Sequence, residues 1–170
     1  VTADHPGYSA NPASFSLPVG ATRKVAVTFA PLTPGPGDAS LTLESNDPTE
    51  PTTVIPLFGQ ALAPPDIAVS PDSLSRMLET GHTGTATLRL DNLGANPLAW
   101  QIQTAGAAGV PPGPAWLSVS MDAGGIPAGS GVDVSVIFNA IGRPPGLYPA
   151  SLRISSNDPD SPLVSVPLSG

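Results

Sequence analysis

Ala150-Ser151-Leu152-Arg153-Ile154-Ser155-Ser156-Asn157-Asp158-Pro159 decides the fold, because Ala39-Ser40-Leu41-Thr42-Leu43-Glu44-Ser45-Asn46-Asp47-Pro48 spells nearly the same pattern. In each stretch, apolar residues at alternate positions lead into Ser-Asn-Asp-Pro. Period-two alternation puts Leu152 and Ile154 on one face of a strand. Asn and Asp hydrogen-bond to nearby backbone and Pro fixes its own φ, so the strand ends in a turn.

The correspondence extends both ways. After the turn, Pro51, Ile55-Pro56-Leu57 and Gly59 match Pro162, Val166-Pro167-Leu168 and Gly170. Before it, Val25-x-Val27-x-Phe29 matches Val134-x-Val136-x-Phe138, and Leu17-Pro18-Val19-Gly20 matches Ile126-Pro127-Ala128-Gly129. The offset is 109 residues at Val25 and Val134, and becomes 111 at Ala39 and Ala150, with the extra residues in the turn Gly142 to Pro145. Agreement over about 45 residues makes this an internal repeat, and its period is too long for a solenoid but suits a sandwich domain. The domain reading is an incomplete module over 1–62, lacking the counterpart of Asp66–Thr104, and a complete module over 63–170. Ala61-Leu62-Ala63-Pro64-Pro65 is the stiff connector.

In the complete module, alternation and turn residues mark the strands. Ile67-Ala68-Val69 opens it, and a short run from Leu74 to Leu78 follows. Gly81-His82-Thr83-Gly84 reads as a turn. Ala86, Leu88 and Leu90 share a face opposite Thr85, Thr87, Arg89 and Asp91. Asn92 to Pro97 is a connection, and Leu98, Trp100 and Ile102 point inward. A small-residue loop, Ala105 to Pro114, precedes Trp116–Val119. Val132, Val134, Val136 and Phe138 form the next strand; Tyr148, Ala150, Leu152 and Ile154 another; Val164, Val166 and Leu168 the last. Seven or eight short strands describe an antiparallel β-sandwich. Pro56 and Pro167 cannot donate to a ladder, which places the final strand at a sheet edge or a bulge.

Composition agrees and narrows function. The 170 residues include 18 Gly and 23 Pro without a collagen period, and 40% hydrophobic residues. They punctuate strands rather than fill disordered segments. Thirteen acidic against six basic residues give a net charge of −7, which argues against nucleic acid and anionic membrane as partners. No apolar run reaches membrane-spanning length. Cysteine is absent, which removes disulfides and thiolate sites. Val1 opens onto polar residues with no signal-peptide pattern, so the sequence reads as a mature segment or an excised piece. The truncated first module suggests a longer array, or strands supplied by a neighbouring chain. No Asn-x-Ser/Thr glycosylation sequon occurs.

Candidate functional residues each have a structural reading beside them. Trp100 and Trp116 could stack on sugar rings, but the alternation of Trp100 with Leu98 and Ile102 favours the core for it. Trp116 reads the same way, and Tyr148 resembles the Tyr of a tyrosine corner. Asn157, Asp158 and Asp160 could offer oxygens to Ca²⁺, yet Thr49 stands in the first copy where Asp160 stands in the second, which favours a turn. His5 and His82 fit no triad or metal spacing. Asp122 and Asp133 sit where hairpin turns are expected. The reading is no catalytic residue, no metal ligand and no cofactor.

The run Asn92-Leu93-Gly94-Ala95-Asn96-Pro97-Leu98-Ala99-Trp100, the turn Pro127-Ala128-Gly129 and Tyr148–Pro159 resemble bacterial Ig-like repeats. These are the ASH (Hydin-type) modules and the similar "choice-of-anchor D" repeats, which are similar in fold to PapD-like and major sperm protein sandwiches. The resemblance covers nearly all of 66–170 and, through the repeat, 12–59. It implies an all-β chain of tandem Ig-like, PapD/ASH-like antiparallel sandwiches, extracellular or on a bacterial cell surface. It also implies a non-enzymatic structural role in a stalk, fibre or adhesin, with other copies of the module as partners. The alternative is an accessory module binding carbohydrate or protein beside a secreted hydrolase.

Overall fold

The computed structural model describes residues 1–106 and 113–169. The middle of the small-residue loop and Gly170 lie outside the described residues. No helix occurs among those described, as the Pro and Gly spacing leads one to expect. The chain divides into two compact units, Val1–Ala63 and Pro64–Gly170.

The second unit contains β8 (Ile67–Ser70), β9 (Leu74–Ser75), β10 (Thr83–Asn92), β11 (Leu98–Gly106), β12 (Leu117–Val119), β13 (Ala123–Ile126), β14 (Gly131–Asn139), β15 (Pro149–Ser156) and β16 (Leu163–Ser169). One sheet has the order β12-β14-β10-β8 and the other β13-β11-β15-β16-β9. Their inner faces supply one core. Leu88 and Leu90 from β10 meet Val134, Val136 and Phe138 from β14, with Leu98, Trp100 and Ile102 from β11 and Leu152 and Ile154 from β15. All are buried, as period-two alternation requires of a sheet with one solvated face. This is an all-β, Ig-like sandwich.

The sandwich departs from the expected strands in several places. Ala105 and Gly106, expected to open the small-residue loop, continue β11 opposite Ser151 and Ala150. Thr83 and Gly84 begin β10 rather than closing a turn. Ala123-Gly124-Gly125-Ile126 forms a strand that alternation does not signal, because Gly124 lies under the indole of Trp100, its register partner. Asp133 lies within β14, where Arg89 faces it across the ladder. The module is also not wholly antiparallel. β9 pairs with β16 in parallel, at Leu168↔Leu74 and Ser169↔Ser75. β16 is therefore not an edge strand, and Pro167 fits because β9 joins only one residue beyond it.

The first unit contains β1 (Thr2–Ala3), β2 (Tyr8–Asn11), β3 (Ala26–Phe29), β4 (Gly35–Pro36), β5 (Ala39–Glu44), β6 (Thr52–Leu57) and β7 (Gln60–Ala61). β1-β5-β6 form one sheet, β2-β3 a second and β4-β7 a third. Here Pro56 does lie on an edge strand, β6. The registers follow those of the second unit. Thr2↔Thr42 and Leu41↔Ile55 correspond to Gln103↔Arg153 and Leu152↔Val166, and Tyr8↔Phe29 to Leu117↔Phe138. β1 is thus placed like the end of β11. Of the large apolar side chains in this unit, Leu41 is buried.

Candidate functional site

The Ser-Asn-Asp-Pro turn after β15 has a dense set of polar contacts, all to protein. Asp158 Oδ1 accepts the N–H groups of Asp160 (2.8 Å) and Ser161 (3.2 Å), and Ser156 Oγ accepts that of Asp158 (3.3 Å). These bonds close the turn on itself. Two further side-chain functions reach other strands. Asn157 Oδ1 accepts the Ala99 N–H (2.8 Å) while its Nδ2 donates to Pro97 O (3.2 Å), and Asp158 Oδ2 accepts the Ile67 N–H (3.0 Å). The turn is a clamp on β11 and β8. Asp158 is buried, and the Ile67 N–H above all, with those of Asp160 and Ser161, holds its carboxyl below the ordinary range despite the burial. Of the oxygens considered for Ca²⁺, those of Asn157 and Asp158 accept backbone donors, while Asp160 takes part through its backbone N–H. Among the described residues, no group of three or more His, Cys, Asp or Glu is arranged to hold a metal ion.

The turn after β5 repeats the internal bonds. Asp47 Oδ1 accepts from the N–H groups of Thr49 (2.8 Å) and Glu50 (3.3 Å), and Ser45 Oγ accepts from that of Asp47 (3.2 Å). Thr49 adds its hydroxyl as a donor (2.8 Å). The backbone and side chain of Thr49, and the backbone of Glu50, lower the Asp47 pKa.

The aromatic candidates are core. Trp100 is 4% and Trp116 7% exposed, so neither offers a face to a sugar. Tyr148 is half-buried, edge-on to Trp116 at 5.9 Å, and its hydroxyl donates to Pro144 O at 2.7 Å. That bond to backbone a few residues upstream is the geometry of a tyrosine corner. These rings wall a cavity of about 70 Å³ with Leu78, Phe138 and Arg143, well below the roughly 300 Å³ at which ligand pockets begin. In the first unit Gly37 stands at the Tyr148 position, and a Cβ there would press on the Phe29 ring. Phe29 stacks on Tyr8 at 4.6 Å instead.

The remaining candidates have local roles. His5 Nδ1 accepts the Gly7 N–H (2.9 Å). His82 bonds through its backbone to Glu79 and Ala140. Asp133 pairs with Arg89 (3.1 Å), which also holds Asp91 (2.8 Å), and these carboxylates raise the guanidinium pKa. Asp122 gives its backbone carbonyl to the Ile102 N–H (2.6 Å).

Sequence reasoning passed over Asn92 as part of a connection. It is fully buried at the end of β10. Its Oδ1 accepts from the N–H groups of Asp66 (3.3 Å) and Gly94 (3.1 Å), and its Nδ2 donates to Asn96 O (2.8 Å) and Ile126 O (3.1 Å). The signal available was its period: Asn92 continues the inward face of Leu88 and Leu90.

No protein-family model matches the chain, and no curated protein matches it. Solved structures do. A protein of unknown function from Porphyromonas gingivalis is 20% identical, with a TM-score of 0.51, and the match covers 96% of this chain and 79% of that one. An ASH/PapD-like domain of human CEP192 is 19% identical at a TM-score of 0.49, covering 61% of this chain and 82% of that domain. The E. coli chaperone DraB is 13% identical at a TM-score of 0.47, covering 61% and 53%. At 20% identity, the likeness to the Porphyromonas gingivalis protein is one of fold.

Proposed function

We propose that this chain is a non-catalytic structural segment of an extracellular or cell-surface protein, built from tandem modules of one kind that space or display other parts. The observation that carries this reading is the Ser-Asn-Asp-Pro turn. It occurs once in each unit with the same internal hydrogen bonds, and in the second unit its remaining polar atoms hold strands rather than a ligand. Electron microscopy of the parent protein tests it. β10 has ten residues, which at roughly 3.4 Å each sets a module length near 35 Å. Beads at a regular spacing of about 35–40 Å are expected, and a single globule would overturn the reading.

With Trp100 and Trp116 buried, the accessory-module reading keeps only the half-buried Tyr148 among the aromatic residues considered as sugar platforms. Glycan-array binding that survives Trp116→Phe and Tyr148→Phe would favour carbohydrate at some other surface.

A further inference from the structure

The chain enters and leaves the second unit at opposite ends of β15. Ile67 opens β8, and its N–H donates to Asp158 in the turn that follows β15. Ser169 closes β16 and pairs with Pro149, where β15 begins. A pull along the chain therefore acts along the strand axes of this unit. The entry is held by side chains, since Asn92 Oδ1 accepts the Asp66 N–H (3.3 Å) and Asp158 Oδ2 the Ile67 N–H (3.0 Å). Beyond β8, residues 71–73 carry the chain across to β9 in the other sheet.

At β9 the entering chain meets the leaving one. β9 runs parallel to β16, at Leu168↔Leu74 and Ser169↔Ser75, and the Arg76 N–H extends the ladder to the Ser169 carbonyl oxygen at 2.9 Å. Leu74 and Leu168 are buried in the core beside these bonds. Because the two strands run the same way, pulling the start of β9 against the end of β16 slides one along the other. Bonds spaced evenly along a parallel pair then share the load and break together. A hairpin such as β15–β16 is different. Its free ends lie side by side, at Pro149 and Ser169, and pulling them apart opens the bonds in turn.

We propose that β9 and β16 form a mechanical latch that keeps the second unit folded under tension along the chain. While it holds, load passes from β9 straight to β16, and the chain from 76 to 168 is shielded from it. The latch deepens the structural role proposed above and rests on it for its use, because a segment that spaces other parts transmits the forces on them. Its geometry is tested apart from that role: bead spacing bears on the role, and rupture force bears on the latch.

Single-molecule pulling on the full chain tests it. Handles at Val1 and Gly170 load the pair in shear. Handles at Met77→Cys and Gly170 pull from the neighbouring ends of β9 and β16, and so peel the pair open. Met77 is 98% exposed and the sequence has no cysteine of its own, so that attachment is specific and leaves the packing alone. The shear geometry is expected to show an event releasing at least roughly 320 Å, the extended length of 76–168 at about 3.5 Å per residue. That event should need a higher force than any event in the peeling geometry at the same loading rate. At constant force, Arg76→Pro, which lacks the N–H, should unfold about two- to tenfold faster than Arg76→Ala, the factor for one backbone hydrogen bond. Both variants lose the Arg side chain, so only the N–H separates them. Should Arg76→Pro fail to fold, the comparison of the two geometries decides alone. Equal rupture forces in the two geometries would overturn the proposal, as would equal unfolding rates of two folded Arg76 variants.

Discussion

Asn92 and Asp158 show how a single polar side chain can set the connection between strands. Each is buried, and each is satisfied by backbone groups from distant parts of the second unit. Removing such a side chain strands several buried donors and acceptors at once. Asn92→Ala is therefore expected to lower unfolding free energy by about 2–4 kcal/mol, from several lost bonds at about 1 kcal/mol each and the groups they leave unpaired. Urea denaturation measures it, and a change below about 0.5 kcal/mol, the range of an ordinary surface substitution, would show that water replaces the amide without loss. Asp158 gives a pH signature. Its folded pKa lies below its ordinary value, chiefly through the Ile67 N–H. The stabilisation is then present above the unfolded Asp value of about 3.9 and is lost as pH falls through the folded value. The melting temperature of the second unit should drop on acidification below about pH 4, and Asp158→Asn should flatten that drop while lowering stability at neutral pH.

At the scale of elements, what the sequence conveys well is the face of a strand, and what it conveys poorly is the strand's end. Leu98-Trp100-Ile102 and Leu152-Ile154 are legible because alternation is a local property. Asp133 was read two ways, inside the alternating strand Val132–Phe138 and at a hairpin turn, and the ladder with Arg89 decides for the strand. β13 was invisible for a related reason. Its two glycines weaken strand propensity, and their use depends on Trp100 from another strand covering Gly124. The connection between β10 and β11 carries a further test. A Cβ on Gly94 would overlap the Pro64 carbonyl oxygen and press on Pro65 Cα, both rigid backbone. Gly94→Ala should therefore cost at least the 1–3 kcal/mol typical of overpacking. Gly125, where a Cβ would meet only the Leu98 carbonyl oxygen at 3.8 Å among the described residues, is the control, and an equal effect at both would refute the steric argument.

Across the whole molecule, the two units differ in how much they bury. The second closes a core from both of its sheets, while the first leaves Val27, Val54 and Ile55 partly exposed. Apolar burial is the main favourable term in folding, so the units should melt separately. Calorimetry of the full chain is expected to show two transitions, the lower one assigned to the first unit by loss of amide protection at Leu41. Limited proteolysis should leave a resistant fragment beginning near Pro64. One cooperative transition would contradict this.

The sequence by itself determined that this protein is all-β, that its strands present one apolar face, and that the Ser-Asn-Asp-Pro turn recurs at a fixed place after one of them. Those properties rest on period-two alternation and on turn residues that act within a few positions of themselves. Only the tertiary structure decided what Asn92, Asn157 and Asp158 hold, why Gly124 is tolerated in a strand, and that β9 pairs in parallel with β16. Each of these depends on which distant backbone comes within hydrogen-bonding reach, and pairing between strands far apart in the chain leaves no local trace in the sequence.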